Sequence, residues 1–431
     1  MRVMSQAHRL RGHVLTFSGN PFTEGWESTV SVLENSAVLI ENGRISAVGH
    51  AAEAAQAAET RYDGHLICPG FVDAHVHYPQ TAIIASWGKR LMDWLNTYTF
   101  PEEMRFDDPD YADAIAGRYL DLSLAHGTTS VASYCTIHSG SVDAIFKAAA
   151  TRNMAVTAGK TCMDRNAPDG LRDTAQSAYD DSKALLEHWH GNGRARYAIT
   201  PRFAPTSTPA QLDAMGTLWS EHPDVLMQTH LSEQVDEIAW VQSLYPNARD
   251  YLDVYETHGL LARRGLYGHA IHLTEREQDR LAEIGAGLAH CPTSNTFIGS
   301  GLFDLAGLAG KGQPVGLATD TGGGSNFSML RTMAAAYEIA QLRGMSVHPA
   351  ALLWLATQGS AQVLHRADEI GQIAPGAVAD ITVLDLASTP AIAQRADQAN
   401  SIWDAVFPTI MMGDDRAIAD VWIAGNRRIN A

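Results

Sequence analysis

The stretch FVDAHVHYPQ, residues 71–80, decides the fold because it places two histidines on one buried strand. In a strand, residues i and i+2 point to the same face, so His75 and His77 project side by side. Two adjacent imidazoles pack poorly in an apolar core but chelate a metal ion well. Histidines that only hydrogen-bond within a core would have the same spacing. The stretch alone therefore leaves both interpretations open.

After this stretch, strand-like apolar runs alternate with amphipathic helical segments. Strands are predicted at 71–77, 128–134, 155–163, 196–203, 225–232, 265–273, 286–292 and 314–320. Eight strands alternating with helices predict an α/β fold, a parallel (β/α)8 TIM-type barrel whose chemistry lies at the C-terminal strand ends. Doubly wound sheets also alternate, but eight units over about 300 residues fit a barrel better.

Both ends of the chain carry short β-type runs instead. Asn42-Gly43 lies between two alternating segments, which is typical of a hairpin. Similar runs with turn glycines return after residue 373. Residues 1–68 and 373–431 are therefore predicted to share one small β-sandwich, with the barrel at 69–372.

The composition limits the partners and the compartment of the chain. Its 431 residues include 31 basic and 48 acidic side chains, a formal net charge of −17. An acidic surface repels nucleic acids and anionic membranes, so neither is expected as a partner. No signal peptide and no window of about 20 apolar residues is evident. The four cysteines are far apart, which indicates buried thiols in a reducing compartment, the cytoplasm.

More polar residues occur at the predicted C-terminal strand ends. His230 and Glu233 follow the fifth strand, and His269 follows the sixth. Asp320 ends the eighth strand, where an unpaired buried charge would be costly without a partner. A cation supplies such a partner. Four histidines and one aspartate at the same end of a barrel therefore predict a metal site.

With these residues, the chain resembles the amidohydrolase superfamily over nearly its whole length. The segment PGFVDAHVH (69–77), the later histidines and aspartate, and the split β-domain match that pattern. More narrowly, the sequence is similar to the guanine deaminase family. The similar segments are GKRLMDWLNTYTFPEE (88–103), GKTCMD (159–164), TPRFAPT (200–206) and HLSE (230–233).

The resemblance implies one divalent metal ion per chain. The implied ligands are His75, His77, His230 and Asp320. Three imidazoles and one carboxylate leave a coordination position for water, as in catalytic zinc sites. Two-metal members of the superfamily need a carboxylated lysine after the fourth strand, where this chain has Thr200-Pro201-Arg202. Lys160 lies on the third strand and is interpreted as structural or as a support behind the metal ligands. Zinc and iron both suit the donors, and the resemblance favours zinc.

The reaction implied by these residues is the hydrolytic deamination of guanine to xanthine and ammonia. The metal would make a bound water acidic enough to attack at neutral pH. Asp320 would accept a proton of that water, and His269 would hydrogen-bond to the hydroxide. Glu233 would protonate the ring nitrogen beside the attacked carbon and then pass the proton to the leaving amine.

Other side chains are predicted to recognise the purine. Gln80 offers an amide donor and acceptor to the N1/O6 edge, and Arg202 can fork towards O6 and N7. Phe203 can cover the face of the ring. The predicted substrate contacts are Gln80, Arg202, Phe203, His230, Glu233 and His269.

Two alternatives remain open. The first is another amidohydrolase, acting on a cytosine, adenosine-type or triazine ring or opening a ring amide. The second is a metal-free scaffold with the same fold. Arg202-Phe203 counts against the first, and the complete donor set counts against the second. The resemblance also suggests a homodimer, with Trp87, Trp94 and Tyr98 in a lid or a dimer contact.

Overall fold

The structure is a computed structural model that describes residues 7–53, 56–88 and 90–428. The strands are β1 (His8–Phe17), β2 (Val30–Glu41), β3 (Arg44–Val48), β4 (Ala58–Pro69), β5 (Phe71–His77), β6 (Thr128–Tyr134), β7 (Ala155–Gly159), β8 (Thr161–Cys162), β9 (Ala195–Pro201), β10 (Leu226–Leu231), β11 (Gly265–His269), β12 (Gly287–His290), β13 (Val315–Leu317), β14 (Ile381–Asp385), β15 (Ile418–Ile423) and β16 (Asn426–Arg428).

The α-helices are α1 (Pro21–Glu24), α2 (Trp26–Thr29), α3 (His50–Glu53), α4 (Leu91–Trp94), α5 (Phe100–Glu103), α6 (Pro109–Ala125), α7 (Ser139–Arg152), α8 (Ala175–Trp189), α9 (Pro209–Glu221), α10 (Val235–Leu244), α11 (Tyr251–Thr257), α12 (Glu275–Ile284), α13 (Pro292–Phe297), α14 (Leu305–Gly310), α15 (Met329–Leu342), α16 (Pro349–Trp354), α17 (Ser360–Val363), α18 (Pro390–Ala396) and α19 (Ile402–Met412). Short π-helical turns, Leu95–Thr99 and Leu355–Gly359, join α4 to α5 and α16 to α17.

Eight parallel strands form the predicted barrel. They pair in the order β5, β6, β7, β9, β10, β11, β12, β13, and β8 adds to β9. Two backbone bonds join the last strand to the first: His77 N–H donates to Thr321 O at 2.9 Å, and Asp320 N–H donates to His75 O at 3.0 Å. Every residue of β5, β6 and β7 is buried, as expected for strands covered on both faces. The TIM-type barrel is therefore confirmed.

Local sequence signals set the helices around the barrel, as α12 illustrates. Thr274 and Glu277 form a reciprocal capping box at its start. Gly285 ends it in the left-handed conformation, at φ 69°, which glycine adopts without steric cost. Leu281 on its inner face is fully buried.

Several strands end earlier than the sequence predicts. The run predicted at 265–273 ends at His269, because His269 and Ala270 have φ of 66° and 48°. The run predicted at 314–320 is a strand only over Val315–Leu317, and Asp320 has φ 50°. Left-handed residues cannot continue a strand. These turns change the direction of the chain at the residues predicted to form the site.

The two ends of the chain share one β-domain, as predicted. Its strands make a seven-stranded sheet in the order β16, β15, β14, β4, β1, β2, β3. Neighbours are antiparallel except β1 and β4, which are parallel. Gly70 N–H donates to Asp380 O at 2.9 Å, which ties the barrel entry to the strand from the other end. The domain boundaries at 68 and 372 stay predictions.

Two further features concern the chain as a whole. Cys68, Cys135, Cys162 and Cys291 are buried and unbridged. Among the described residues, no helix combines the length and the apolar character needed to cross a bilayer.

Candidate active site

A cavity lies at the C-terminal ends of the barrel strands. It is lined by His77, Gln80, Leu91, Trp94, Leu95, Arg202, Phe203, His230, Glu233, His269, Ile298, Asp320 and Gly323. Every predicted site residue except His75 is among them. Residues separated by up to 243 positions, from His77 to Asp320 (320 − 77), therefore meet in one place.

The predicted metal ligands converge beside this cavity. The Nε2 atoms of His77 and His230 are 3.1 Å apart. Asp320 Oδ1 lies 3.5 Å from His75 Nε2 and 3.7 Å from His77 Nε2. Two sets of donor atoms each lie within 4.8 Å of one another: His75, His77 and Asp320; and His75, His230 and His269. The separations of 3.5 and 3.7 Å are longer than hydrogen bonds and suit donors around a common ion, whereas the 3.1 Å contact between His77 and His230 is within hydrogen-bond range.

Unpartnered nitrogen atoms indicate that these residues fit a metal ion. Both ring nitrogens of His75 and Nδ1 of His77 are buried without a hydrogen-bond partner among the described residues. Leaving such atoms unpaired is costly, and a cation would offset that cost. His230 is already oriented, because its Nδ1 lies 2.6 Å from the Arg202 carbonyl and its Nε2 faces the other donors.

The protonation states also suit metal binding. Burial lowers the pKa of His77 well below its usual value, and the positive charge of Arg202 lowers it further. Burial and the neighbouring His75 lower the pKa of His230 in the same way. Burial raises the pKa of Asp320, but contacts with His75 and the charge of His269 lower it more, to about 2. Neutral imidazoles and a charged carboxylate are the forms that bind metals.

His269 is paired with both Glu233 and the second carboxylate oxygen of Asp320. The Nε2 atom of His269 is 3.6 Å from Glu233 Oε2 and 3.7 Å from Asp320 Oδ2. Its Nδ1 lies 2.8 Å from Asn295 Oδ1, and Ser300 Oγ donates to Glu233 Oε1 at 2.8 Å. An amide oxygen accepts only from a protonated nitrogen, so Asn295 fixes the proton on Nδ1.

The charges of this group shift its pKa values. Burial raises the pKa of Glu233, and the charge of Asp320 raises it further, against the effect of His269. Burial lowers the pKa of His269, but the negative charges of Glu233 and Asp320 outweigh it and raise the pKa. A carboxyl group that holds its proton more readily than usual and an adjacent imidazole can exchange protons.

The predicted purine-reading residues share one wall of the cavity. Gln80 Nε2 donates to Glu103 Oε1 at 2.9 Å, and Arg202 Nη1 contacts both Glu103 oxygens at 3.0 and 2.8 Å. All three residues are at most 3% exposed. The ring of Phe203 lies beside His230, with a centroid distance of 6.3 Å.

Sequence reasoning missed Glu103, Asn295 and Ser300. Glu103 lies in a quoted segment similar to the guanine deaminases, but no local pattern marks it. Asn295 belongs to HCPTSN, residues 290–295, where the histidine attracts attention first. That residue, His290, lies outside the cavity wall and stacks on Phe303 at a centroid distance of 4.3 Å.

Other residues singled out by sequence have different environments. The ammonium group of Lys160 is buried and pairs with Asp173 at 2.6 Å, which agrees with a structural role. Trp94 is buried against the cavity, whereas Trp87 is 78% exposed. Tyr98 links the two regions by donating to the Trp87 carbonyl at 2.7 Å.

Comparison with known sequences agrees with this geometry. The model of the amidohydrolase family matches residues 66–428. Guanine deaminase of Escherichia coli strain K12 is 44% identical over 403 residues, 92% of each chain. A probable guanine deaminase of Deinococcus radiodurans is 40% identical over 365 residues, 84% of this chain and 83% of that one.

Solved structures give the same relationship. Guanine deaminase of E. coli superposes with a TM-score of 0.94 at 41% identity, covering 98% of this chain and 99% of that one. The guanine deaminase of C. acetobutylicum, solved with guanine bound in its active site, has a TM-score of 0.89 at 25% identity, covering 98% and 100%. The chain therefore belongs to the amidohydrolase family and, within it, to the guanine deaminases.

Proposed function

We propose that this chain hydrolyses guanine to xanthine and ammonia, with one divalent metal ion bound per chain. The observation that carries the proposal is the cavity itself. It brings metal-binding donors, a buried carboxyl–imidazole pair, and the amide and guanidinium of Gln80 and Arg202 to the same small volume. The relatives named guanine deaminase, at 44% and 40% identity, support the choice of substrate.

The metal would be held by His75, His77, His230 and Asp320. The unpartnered ring nitrogens of His75 and His77 and the close donor atoms fit a small divalent ion. The bound ion would supply a water that is acidic enough to react at neutral pH. These donors suit both Zn²⁺ and Fe²⁺, and the resemblance to the guanine deaminases favours Zn²⁺.

The protein's own groups would move the protons. Asp320 would take one proton from the attacking water, and His269 would hold the attacking oxygen by a hydrogen bond from Nε2. Glu233 would donate its proton to the ring nitrogen beside C2, take the second water proton from the new C2 hydroxyl and pass it to the departing amine. The proton held by Asp320 would then return to Glu233, which restores both carboxyl groups. The new C2–oxygen bond replaces the C2–nitrogen bond, and ammonia leaves. The distances of 3.6 and 3.7 Å from His269 support this arrangement.

Substrate recognition would come from the opposite wall. Gln80 and Arg202 would bind the N1/O6 edge, and Phe203 would lie against the ring. His230, Glu233 and His269 would contact the end that reacts. The position of all six residues at the cavity supports this assignment.

A substrate panel tests the proposal. Purified protein is offered guanine, adenine, cytosine and melamine, while ammonia release and metal content are measured. We expect ammonia from guanine and about one metal ion per chain. Release from another ring but not from guanine would favour a different amidohydrolase activity, and active protein with two tightly bound ions would contradict the single-metal site.

We also propose that the chain works as a cytoplasmic homodimer. Four buried free thiols support a reducing compartment. The exposed indole of Trp87 offers an apolar surface beside the cavity that a second copy could cover. Sedimentation equilibrium would give twice the 46.6 kDa mass of one chain, and a monomer at micromolar concentration would contradict the dimer.

A further inference from the structure

Glu103 is a buried carboxylate that the proposed chemistry does not use. It ends the short helix α5 and is 0% exposed. Its hydrogen bonds within the described chain come from Gln80 and Arg202. Both donors line the cavity, whereas Glu103 itself does not. A carboxylate in this position can act on a ligand only through the two side chains that it holds.

The bond to Glu103 fixes the direction of the Gln80 amide. Nε2 is the donor atom of that amide and points to the carboxylate at 2.9 Å. Oε1, the acceptor atom, packs against Gly322 in the loop after β13, beside Gly323, which lines the cavity. A Cβ added at Gly322 would stand 2.1 Å from that oxygen, so the loop accommodates the amide only because a glycine is present.

The same carboxylate holds Arg202. Nη1 of Arg202 is occupied by both oxygens of Glu103, and its other N–H groups have no hydrogen-bond partner among the described residues. The guanidinium therefore keeps donors for a ligand in a fixed plane. The cavity wall presents an acceptor from Gln80 next to donors from Arg202.

This pair of groups matches one kind of ring edge. A lactam edge has a ring N–H beside a C=O group. Its N–H would face the acceptor of Gln80, and its C=O would face the donors of Arg202. An amidine edge has an unprotonated ring nitrogen beside a C–NH₂ group. Its order of donor and acceptor is reversed, so its NH₂ donor would face the donors of Arg202. We propose that Glu103 is a positioning residue that makes the site selective for lactam rings over amidine rings. This inference rests on the proposed function and adds the origin of its selectivity.

The experiment measures the binding of two bases that differ only at this edge, by stopped flow within a time shorter than one turnover, so that guanine is not hydrolysed during the measurement. Guanine carries the lactam, and 2,6-diaminopurine carries the amidine in its place. Glu103→Gln keeps the size of the side chain but allows the amide group of Gln80 to rotate by about 180°, which exchanges its donor and acceptor. We expect the guanine preference, the ratio of the two Kd values, to fall at least about tenfold with unchanged metal content.

A matched control lies at the neighbouring position. Glu102 is also buried on α5, but its carboxylate accepts from Arg105 and Tyr111, away from the cavity. Glu102→Gln removes the same charge from the same helix, and we expect the preference to stay as in the wild type. Equal loss of preference in both variants would indicate a general effect of the helix and overturn the proposal.

The double variant Gln80→Glu/Glu103→Gln restores the hydrogen bond between the two positions in the opposite direction: the new amide at position 103 donates to the new carboxylate at position 80. The net charge is unchanged, and an acceptor again faces the cavity, so we expect most of the preference to return. If Glu103→Gln alone does not fold, the double variant decides, and its failure to discriminate overturns the proposal. Wild-type protein that does not prefer guanine would instead refute the proposed function. An unchanged ratio in Glu103→Gln would refute only the role of Glu103.

Discussion

The two ends of the barrel differ in how completely a buried carboxylate is paired. We call the end at which Asp380 is fully hydrogen-bonded the saturated end, and the end that carries Asp320 the unsaturated end. At the end that faces the β-domain, Asp380 accepts from Arg194 Nη1 at 3.0 Å and from Ala424 N–H at 2.9 Å, and Arg194 Nη2 donates to its second oxygen. At the other end, the side-chain nitrogens paired with the carboxylate of Asp320 belong to imidazoles, at 3.5 to 3.7 Å. Saturated charges stabilise a fold, whereas unsaturated charges leave room for a ligand.

The largest effect is expected when a metal-binding side chain is removed from the unsaturated end. His230→Ala deletes one proposed metal ligand, so we expect metal and ammonia release to be lost together, with activity at background. Elemental analysis and an ammonia assay measure both. His290→Ala is the matched control, because His290 is also a buried histidine at a strand end but lies outside the cavity wall. Metal retained by His230→Ala would contradict the ligand assignment.

A smaller effect is expected when the shape of the Glu233 side chain is kept but its ability to carry a proton is removed. Glu233→Gln preserves size, so metal content and guanine binding should stay near wild type. General acid–base groups contribute about 10²–10⁴-fold, and kcat should fall by at least about 10²-fold. Ser300→Ala removes only one hydrogen bond to Glu233, so its kcat should fall about two- to tenfold. Near-normal turnover of Glu233→Gln would mean that the proton moves by another route.

Removing a recognition group should cost less than removing a chemical one. Arg202→Ala deletes donors for the purine, so guanine kcat/KM should fall about 5- to 150-fold, equivalent to about 1–3 kcal/mol. Metal content should not change, since Arg202 contacts His230 only through its backbone carbonyl. The variant should also be less stable, because Glu103 loses its cationic partner. Steady-state kinetics with unchanged kcat/KM would exclude Arg202 from recognition.

The saturated end should affect stability and hardly affect turnover. Asp380→Asn removes the closer of the two carboxylates that pair with the mostly buried Arg194, the other being Glu369 at 3.4 Å, and we expect the free energy of unfolding to fall by about 3 kcal/mol. The kcat of the folded fraction should stay within about twofold of wild type, because the pair lies at the barrel end away from the chemistry. Urea denaturation and ammonia release measure the two quantities. A large loss of kcat in folded protein would remove the contrast between the ends.

The sequence predicts most of this fold because its strand signals are local. The runs at 71–77 and 128–134 coincide with β5 and β6. The predicted strand at 155–163 is divided at Lys160 into β7 and β8, since the pairing with β9 is interrupted there. Strand ends are predicted less well, because left-handed residues such as His269 and Asp320 look like ordinary strand residues in the sequence.

The site is only partly readable from the sequence, for a different reason. His75 and His77 are adjacent in space because they are adjacent on a strand, which spacing reveals directly. Glu103 contacts partners 23 and 99 positions away, and no periodicity marks such contacts. The sequence therefore gives the donors that end strands and omits the residues, such as Asn295, that hold those donors in place.

The seam of the barrel, where the chain after β13 is hydrogen-bonded to β5, has a consequence for how the protein is made. Two of the proposed ligands are on β5, the first barrel strand, and Asp320 follows β13, the last, and backbone bonds join the two strands there. A ribosome must therefore translate 320 of the 431 residues before the complete donor set exists. Earlier nascent chains hold at most the three histidines, without the carboxylate of Asp320. Ion capture and ring closure become one late event in biosynthesis, so a chain that fails to close its seam also fails to acquire its metal.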